Sequence, residues 1–193
     1  MRRKKFEFKP DRDGVNLANK LYLTRRQRKS LLKWTLYSLV CVLALVLQDS
    51  VLAQFRLFGA VIDLAPCALV LVCIVEGAES GGVFALAGSL FYVFSGTAPG
   101  SYCVMLLTVY SVLAALVRSS FLRRSFSATW LMCAAALVAY EMSVFGMGVF
   151  LGDTYPQRYE VFLIRGLLSA AVIPLLCPLM GRIAKVGGEL WKE

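Results

Sequence analysis

The sequence predicts an all-α integral membrane protein with six transmembrane helices and both ends in the cytoplasm. Of its 193 residues, 59% are hydrophobic and 17% charged, and the mean hydropathy is +0.68. A soluble domain is roughly half apolar and about a quarter charged. The excess falls in six apolar runs separated by short polar gaps, the pattern of a chain solvated by lipid. Lys and Arg, finally, gather on one side of the membrane if every run crosses it.

The chain divides into a basic tail over 1–30, a six-helix domain over 31–185 and a short C-terminus over 186–193. Residues 1–33 hold 12 of the 21 Lys and Arg against three acidic residues, so this segment carries the whole net charge of +9. Beside a membrane span such a tail more often faces anionic lipid and fixes orientation than binds nucleic acid. Arg25, Arg26, Arg28 and Lys29 are the lipid-facing candidates, with anionic lipid as partner and no nucleic acid. Val15, Leu17, Leu21 and Leu23 among these charges allow either a short surface-lying amphipathic helix or a disordered arm.

The first run, 31–48, is followed by Val51-Leu52-Ala53, which has the small final residue of a signal-peptide cleavage site. The basic stretch before it is about twice the length such signals have, so the run is read as a retained helix. The second run, 57–75, is interrupted by Asp63 and Pro66, and the third, 78–94, is short and rich in glycine. Either can be re-entrant. The fourth, fifth and sixth runs, 101–117, 128–151 and 161–180, have the roughly 17–25 residues that cross a hydrocarbon core.

Charge decides the topology. With six crossings and the tail inside, 18 Lys and Arg lie in the cytoplasm and only Arg56 and Arg158 outside. If the third run does not cross, the count becomes 13 inside and 7 outside. The positive-inside rule therefore prefers six. Trp34, Tyr37 and Trp130 then fall near the inner interface, and Tyr155 and Tyr159 near the outer one, as an aromatic belt would. The segment 76–80 fits less well, being cytoplasmic yet bearing two Glu and no basic residue.

Three charges stand inside apolar runs: Asp63, Glu141 and Arg165. Each costs about 2.5–3.5 kcal/mol on insertion scales and calls for a partner or an aqueous path. Glu141 and Arg165 belong to consecutive, antiparallel helices, which predicts that they pair, as a lock between helices or as a ligand-facing site. Asp63 lies near the outer end of the second run, where contact with interfacial water is favoured over contact with a partner. Pro66 then marks the start of a helix or a kink.

The segment 76–89 is the most distinctive. Gly77 and Gly81, Ala78 and Gly82, and Ala85 and Ser89 each stand four apart, and Gly88 follows the same stripe. Small residues at that spacing let helix backbones approach closely. The glycines lack the following GK[ST] and the preceding strand of a phosphate loop. Pro174 and Pro178 are expected to kink the sixth helix.

The chain contains no histidine, which removes the commonest general base and metal ligand. Its six cysteines all lie in apolar runs without a CxxC pair, as small hydrophobes do. Loops of about ten residues or fewer leave no room for a soluble catalytic domain. We therefore expect a protein without catalytic activity, metal or cofactor.

The order of features resembles the bacterial rod shape-determining MreD family over residues 31–185. The resemblance rests on the first helix running into Gln48-Asp-Ser50, on Gly59 through Asp63-Leu64-Ala65-Pro66 before the second, and on Gly77, Gly81, Gly82 and Gly88. This chain departs in placing Asp63 ahead of the proline. It also has Gly88-Ser-Leu-Phe-Tyr92 where many members end in an acidic residue. The resemblance implies a scaffold subunit in the bacterial cytoplasmic membrane, serving lateral-wall elongation. Its implied partners are a bitopic MreC-like protein, the wall-synthesis enzymes RodA and a class B penicillin-binding protein, and the MreB cytoskeleton. Size and helix count equally suit the alternative, a substrate-binding subunit of an energy-coupling-factor vitamin transporter.

Overall fold

The computed structural model describes residues 25–55, 59–121 and 126–186, and these form six helices without a β-strand. They are α1 (Arg25–Ser50), α2 (Leu64–Glu76), α3 (Ala78–Phe94), α4 (Cys103–Phe121), α5 (Phe126–Leu151) and α6 (Tyr159–Val186). The stretch around Val15 to Leu23 lies outside the described residues, as do Arg56, Arg123, Arg124 and Lys192 and the side chains of Arg25 and Arg26. Arg28 and Lys29 are exposed in the first turn or two of α1.

Four helices, α1, α4, α5 and α6, are long and apolar enough to cross a membrane. The other two are apolar but shorter, with 13 residues in α2 and 17 in α3. The surface is one that water would not tolerate. Leu39, Phe94, Met105, Phe150 and Leu175 are all more than three-fifths exposed, whereas Lys33, Gln48, Asp63 and Glu141 are buried. An apolar exterior around a partly polar interior is the arrangement that lipid favours.

Helix α2 is the axis. It is buried from Ala65 to Ile74 and packs against all five other helices. Those five form a horseshoe around it, with α1 beside α6, then α5, α4 and α3 in turn. At 1.5 Å per residue α2 is only about 20 Å long. The chain reaches it through the extended segment before Asp63, non-helical backbone that can sit deep in a bundle because protein covers it. Pro66 occupies the first turn of α2, where its missing N–H has no intrahelical partner to lose. Pro174 and Pro178 both lie inside α6, which continues through them.

The horseshoe opens between α1 and α3. Trp34 and Tyr37 of α1 still touch Phe84 of α3, with ring centroids 5.5 and 6.3 Å apart. Beyond Phe84 the two helices part, leaving a lateral apolar groove of about 350 Å³ with Ala65 and Leu69 of α2 on its floor. Elsewhere glycines close the packing. Gly77 turns the chain between α2 and α3 at φ +97°, which strongly favours glycine. Gly81 lies directly on the Cys73 backbone, Gly82 against Val112 and Gly88 against Leu69.

The bundle has a proximal end, where α1 begins and α6 ends, and an opposite, distal end. Near the proximal end Lys33 donates to Glu76 at 2.5 Å, and the Tyr37 hydroxyl donates to the same carboxylate at 2.8 Å. Arg118 donates to the carbonyl oxygen of Ile74, also at 2.5 Å. Tyr37 is fully buried and so belongs to the core rather than to an interfacial belt. Lys33 answers the acidity of the segment 76–80, because it neutralises Glu76 across the helix pair.

Candidate functional site

The charges inside the apolar runs meet toward the distal end, in an arrangement fixed by the start of α2. Asp63 is the N-cap residue, extended at φ −95°, yet its carboxylate makes no cap hydrogen bond to its own helix. It turns inward instead, and Gln48 of α1 takes over the cap. The Gln48 Oε1 accepts from the Ala65 N–H at 3.0 Å, while its Nε2 donates to Asp63 Oδ1 at 2.5 Å. The Asp63 N–H donates to Ser169 Oγ of α6 at 2.9 Å. One Gln therefore satisfies a helix terminus and a carboxylate together.

The second carboxylate oxygen of Asp63 faces α3 and α6. It accepts from the Tyr92 hydroxyl at 3.1 Å and is in direct contact with Arg165 Nη2 as an ion pair. Glu141 of α5 stands on the other side of the guanidinium, its Oε1 3.5 Å from Arg165 Nε. Asp63 is 1% and Glu141 2% exposed, while the Arg165 side chain keeps 17% exposure. Gly166 lets α6 approach this part of α5: a Cβ there would lie 3.2 Å from Val138 Cα. The chain thus folds five helices onto one ionic centre, through Gln48, Asp63, Tyr92, Glu141 and Arg165.

A cavity of about 270 Å³ adjoins this centre, bordered by Gln48, Asp49, Asp63, Thr97 and Arg165. Its mixed charges suit a small polar molecule, although drug-sized sites more often measure about 300–1,000 Å³. No group of three or more Cys, Asp or Glu side chains suited to a metal ion occurs among the described residues.

Glu141 and Arg165 thus stand together, as their positions on consecutive helices suggest, but Asp63 is the nearer acid to the guanidinium. The expectation of Asp63 in interfacial water is corrected by its burial. The extended backbone before α2 carries it inward, where the arginine and two neutral donors hold it. In the sequence, Gln48 and Tyr92 enter only through the family resemblance and Ser169 carries no signal, yet all three bond to Asp63. Gln48 offers a visible signal, being an amide at the end of an apolar run, whereas nothing in the sequence marks Tyr92 or Ser169 as partners of a buried acid.

The cluster's cohesion is testable through its neutral member. A Gln48→Leu substitution leaves Asp63 Oδ1 and the Ala65 N–H each without this partner, and a buried unsatisfied group costs about 1–3 kcal/mol. Thermal unfolding in mild detergent should show a clearly lowered midpoint. A midpoint equal to wild type would mean that cavity water takes over both hydrogen bonds.

Comparison with protein-family models, curated proteins and solved structures finds no match to the chain.

Proposed function

We propose that this protein is a scaffold without catalytic activity in the bacterial cytoplasmic membrane, an MreD-like subunit of the lateral-wall elongation complex. In this reading all six helices cross, with the proximal end in the cytoplasm. Lys and Arg then lie overwhelmingly inside, and the basic tail, with Arg25, Arg26, Arg28 and Lys29, rests against anionic lipid. A bitopic MreC-like protein is the direct partner, and RodA and a class B penicillin-binding protein are the enzymes that the assembly organises.

The observation that carries the reading is how the buried charges are used. Lys33 pairs with Glu76, and Asp63 and Glu141 flank Arg165, so the ionisable groups bind helices to one another. What the protein offers laterally is apolar helix surface, interrupted by the groove between α1 and α3. Such a body is suited to packing against other transmembrane helices. The sequence resemblance supplies the identity of those helices.

The distal cavity favours a second reading, a vitamin-binding subunit of an energy-coupling-factor transporter. It places polar groups next to a cavity of about 270 Å³, near the face that would lie outside. Affinity capture of a tagged copy from native membranes in gentle detergent separates the two. The scaffold reading expects an MreC-like bitopic protein with wall-synthesis enzymes. Recovery of two ATPases and a coupling subunit instead would overturn it in favour of the transporter.

A further inference from the structure

We infer that the distal cluster holds one exchangeable proton, carried by Glu141 beside the ion pair of Asp63 and Arg165. The inference is independent of the scaffold reading, since it concerns only what the cluster binds. Two carboxyl groups and one guanidinium meet in the bundle, so full ionisation would leave one uncompensated negative charge there. Low-dielectric surroundings oppose such a charge strongly, and acquiring a proton is the simplest remedy.

The distribution of donors identifies which carboxyl is neutral. Asp63 accepts from Gln48, Tyr92 and Arg165 across its two oxygens, the environment of an ionised carboxylate. Glu141 has no such set of donors. Among the described residues its buried Oε2 has no hydrogen-bond partner, and Arg165 Nε, 3.5 Å from Oε1, makes no hydrogen bond either. A carboxylate left so bare is unfavourable, whereas a neutral acid leaves far less charge unsolvated.

Among the described residues, the other ionisable groups around Glu141 bring no second positive charge. Asp63 precedes α2, Tyr92 comes from α3, Cys103 from α4 and Tyr140 from α5, and Arg165 from α6 is the one cation among these neighbours. A metal cation suits the position poorly, since hard cations take about six or more oxygen ligands. Exchange has a route. The distal cavity borders Asp63 and Arg165, and Asp63 is a close neighbour of Glu141. On release the Glu141 O–H bond breaks, its electron pair stays on the carboxylate, and the proton passes to a base in the cavity water.

Infrared difference spectroscopy of the full chain in lipid nanodiscs, titrated from neutral to alkaline pH, tests this. Wild type should lose the C=O stretch of a protonated carboxyl, and Glu141→Gln should lack that band from the start. Incorporation of carbon-13-labelled glutamate separates a Glu141 band from one of Asp63 even if the variant does not fold, because only a glutamic acid band shifts, and Glu76 is paired with Lys33. A wild type without the band at neutral pH, or a band unmoved by the label, overturns the inference. Replacing potassium by sodium should leave the wild-type melting curve unchanged. Sodium-dependent stabilisation that Glu141→Gln abolishes would assign the position to a metal ion instead.

Discussion

Replacing Arg165 by Met should destabilise the bundle by about 3–5 kcal/mol, the range seen when one partner of a buried ion pair is removed. Arg165 contacts Asp63 directly and has Glu141 on its other side, so its loss strands a carboxylate in the bundle. The natural readouts are the amount of folded protein in membranes and the unfolding midpoint of what can be extracted. Charge, and not the volume of the side chain, should be the cause. An Asp63→Asn, Arg165→Met double variant is therefore expected to regain most of the loss, because replacing a whole buried ion pair is often close to neutral. A double variant as unstable as the single one would show that packing dominates. The arrangement also predicts an asymmetry. Exchanging charges in a Glu141→Arg, Arg165→Glu double variant would rescue an isolated pair, but here it places the new glutamate against Asp63. That variant should remain unstable.

The sequence displays the members of this centre more clearly than their arrangement. Asp63, Glu141 and Arg165 stand out because a charge inside an apolar run is costly, and any reader of hydropathy finds them. Their order of pairing depends on a backbone detail that hydropathy does not register. The run 57–75 is visibly interrupted at Asp63 and Pro66, but only the structure shows that α2 begins at Leu64 and that the extended residues before it lower Asp63 into the bundle. Sequence spacing brings α5 and α6 together because they are consecutive. It says nothing of α2 as the central helix, whose contact with all the others arises from long-range packing. Tyr37 shows the same limit. Its position near a helix end suggests an interfacial ring, but Glu76 and the aromatic contact with Phe84 draw it inside. Tyr92 is more instructive still. It stands where the resemblance implies an acid, and here it supplies a hydroxyl to Asp63. By contrast, the glycine stripe is legible because the physical requirement is local: only a residue without a side chain permits the closest helix approach.

That requirement gives the other large effect. Gly81→Ala should destabilise the protein by about 1–3 kcal/mol or more, the usual range for overpacking. The added Cβ would lie 2.6 Å from Cys73 Cα, and a backbone atom in the tightly turned end of the α2–α3 contact cannot rotate away. The two helices must separate, which also disturbs the junction of Glu76 with Lys33. Intrinsic propensity works in the opposite direction, since alanine is better than glycine in a helix by about 0.8–1.0 kcal/mol. A net loss therefore isolates the steric contribution. Gly146→Ala in α5 is the matched control: nothing lies within 4 Å of the point where its Cβ would stand, so it should be neutral or slightly stabilising. Gly82→Ala and Gly88→Ala should fall between, because they meet the side-chain ends of Val112 and Leu69. Leu69 borders the groove and has space into which to turn. Melting midpoints of the four variants in one detergent check this order. If Gly81→Ala melts with Gly146→Ala, the α2–α3 pair has slack, and the close approach at Gly81 is not what holds the central helix in place.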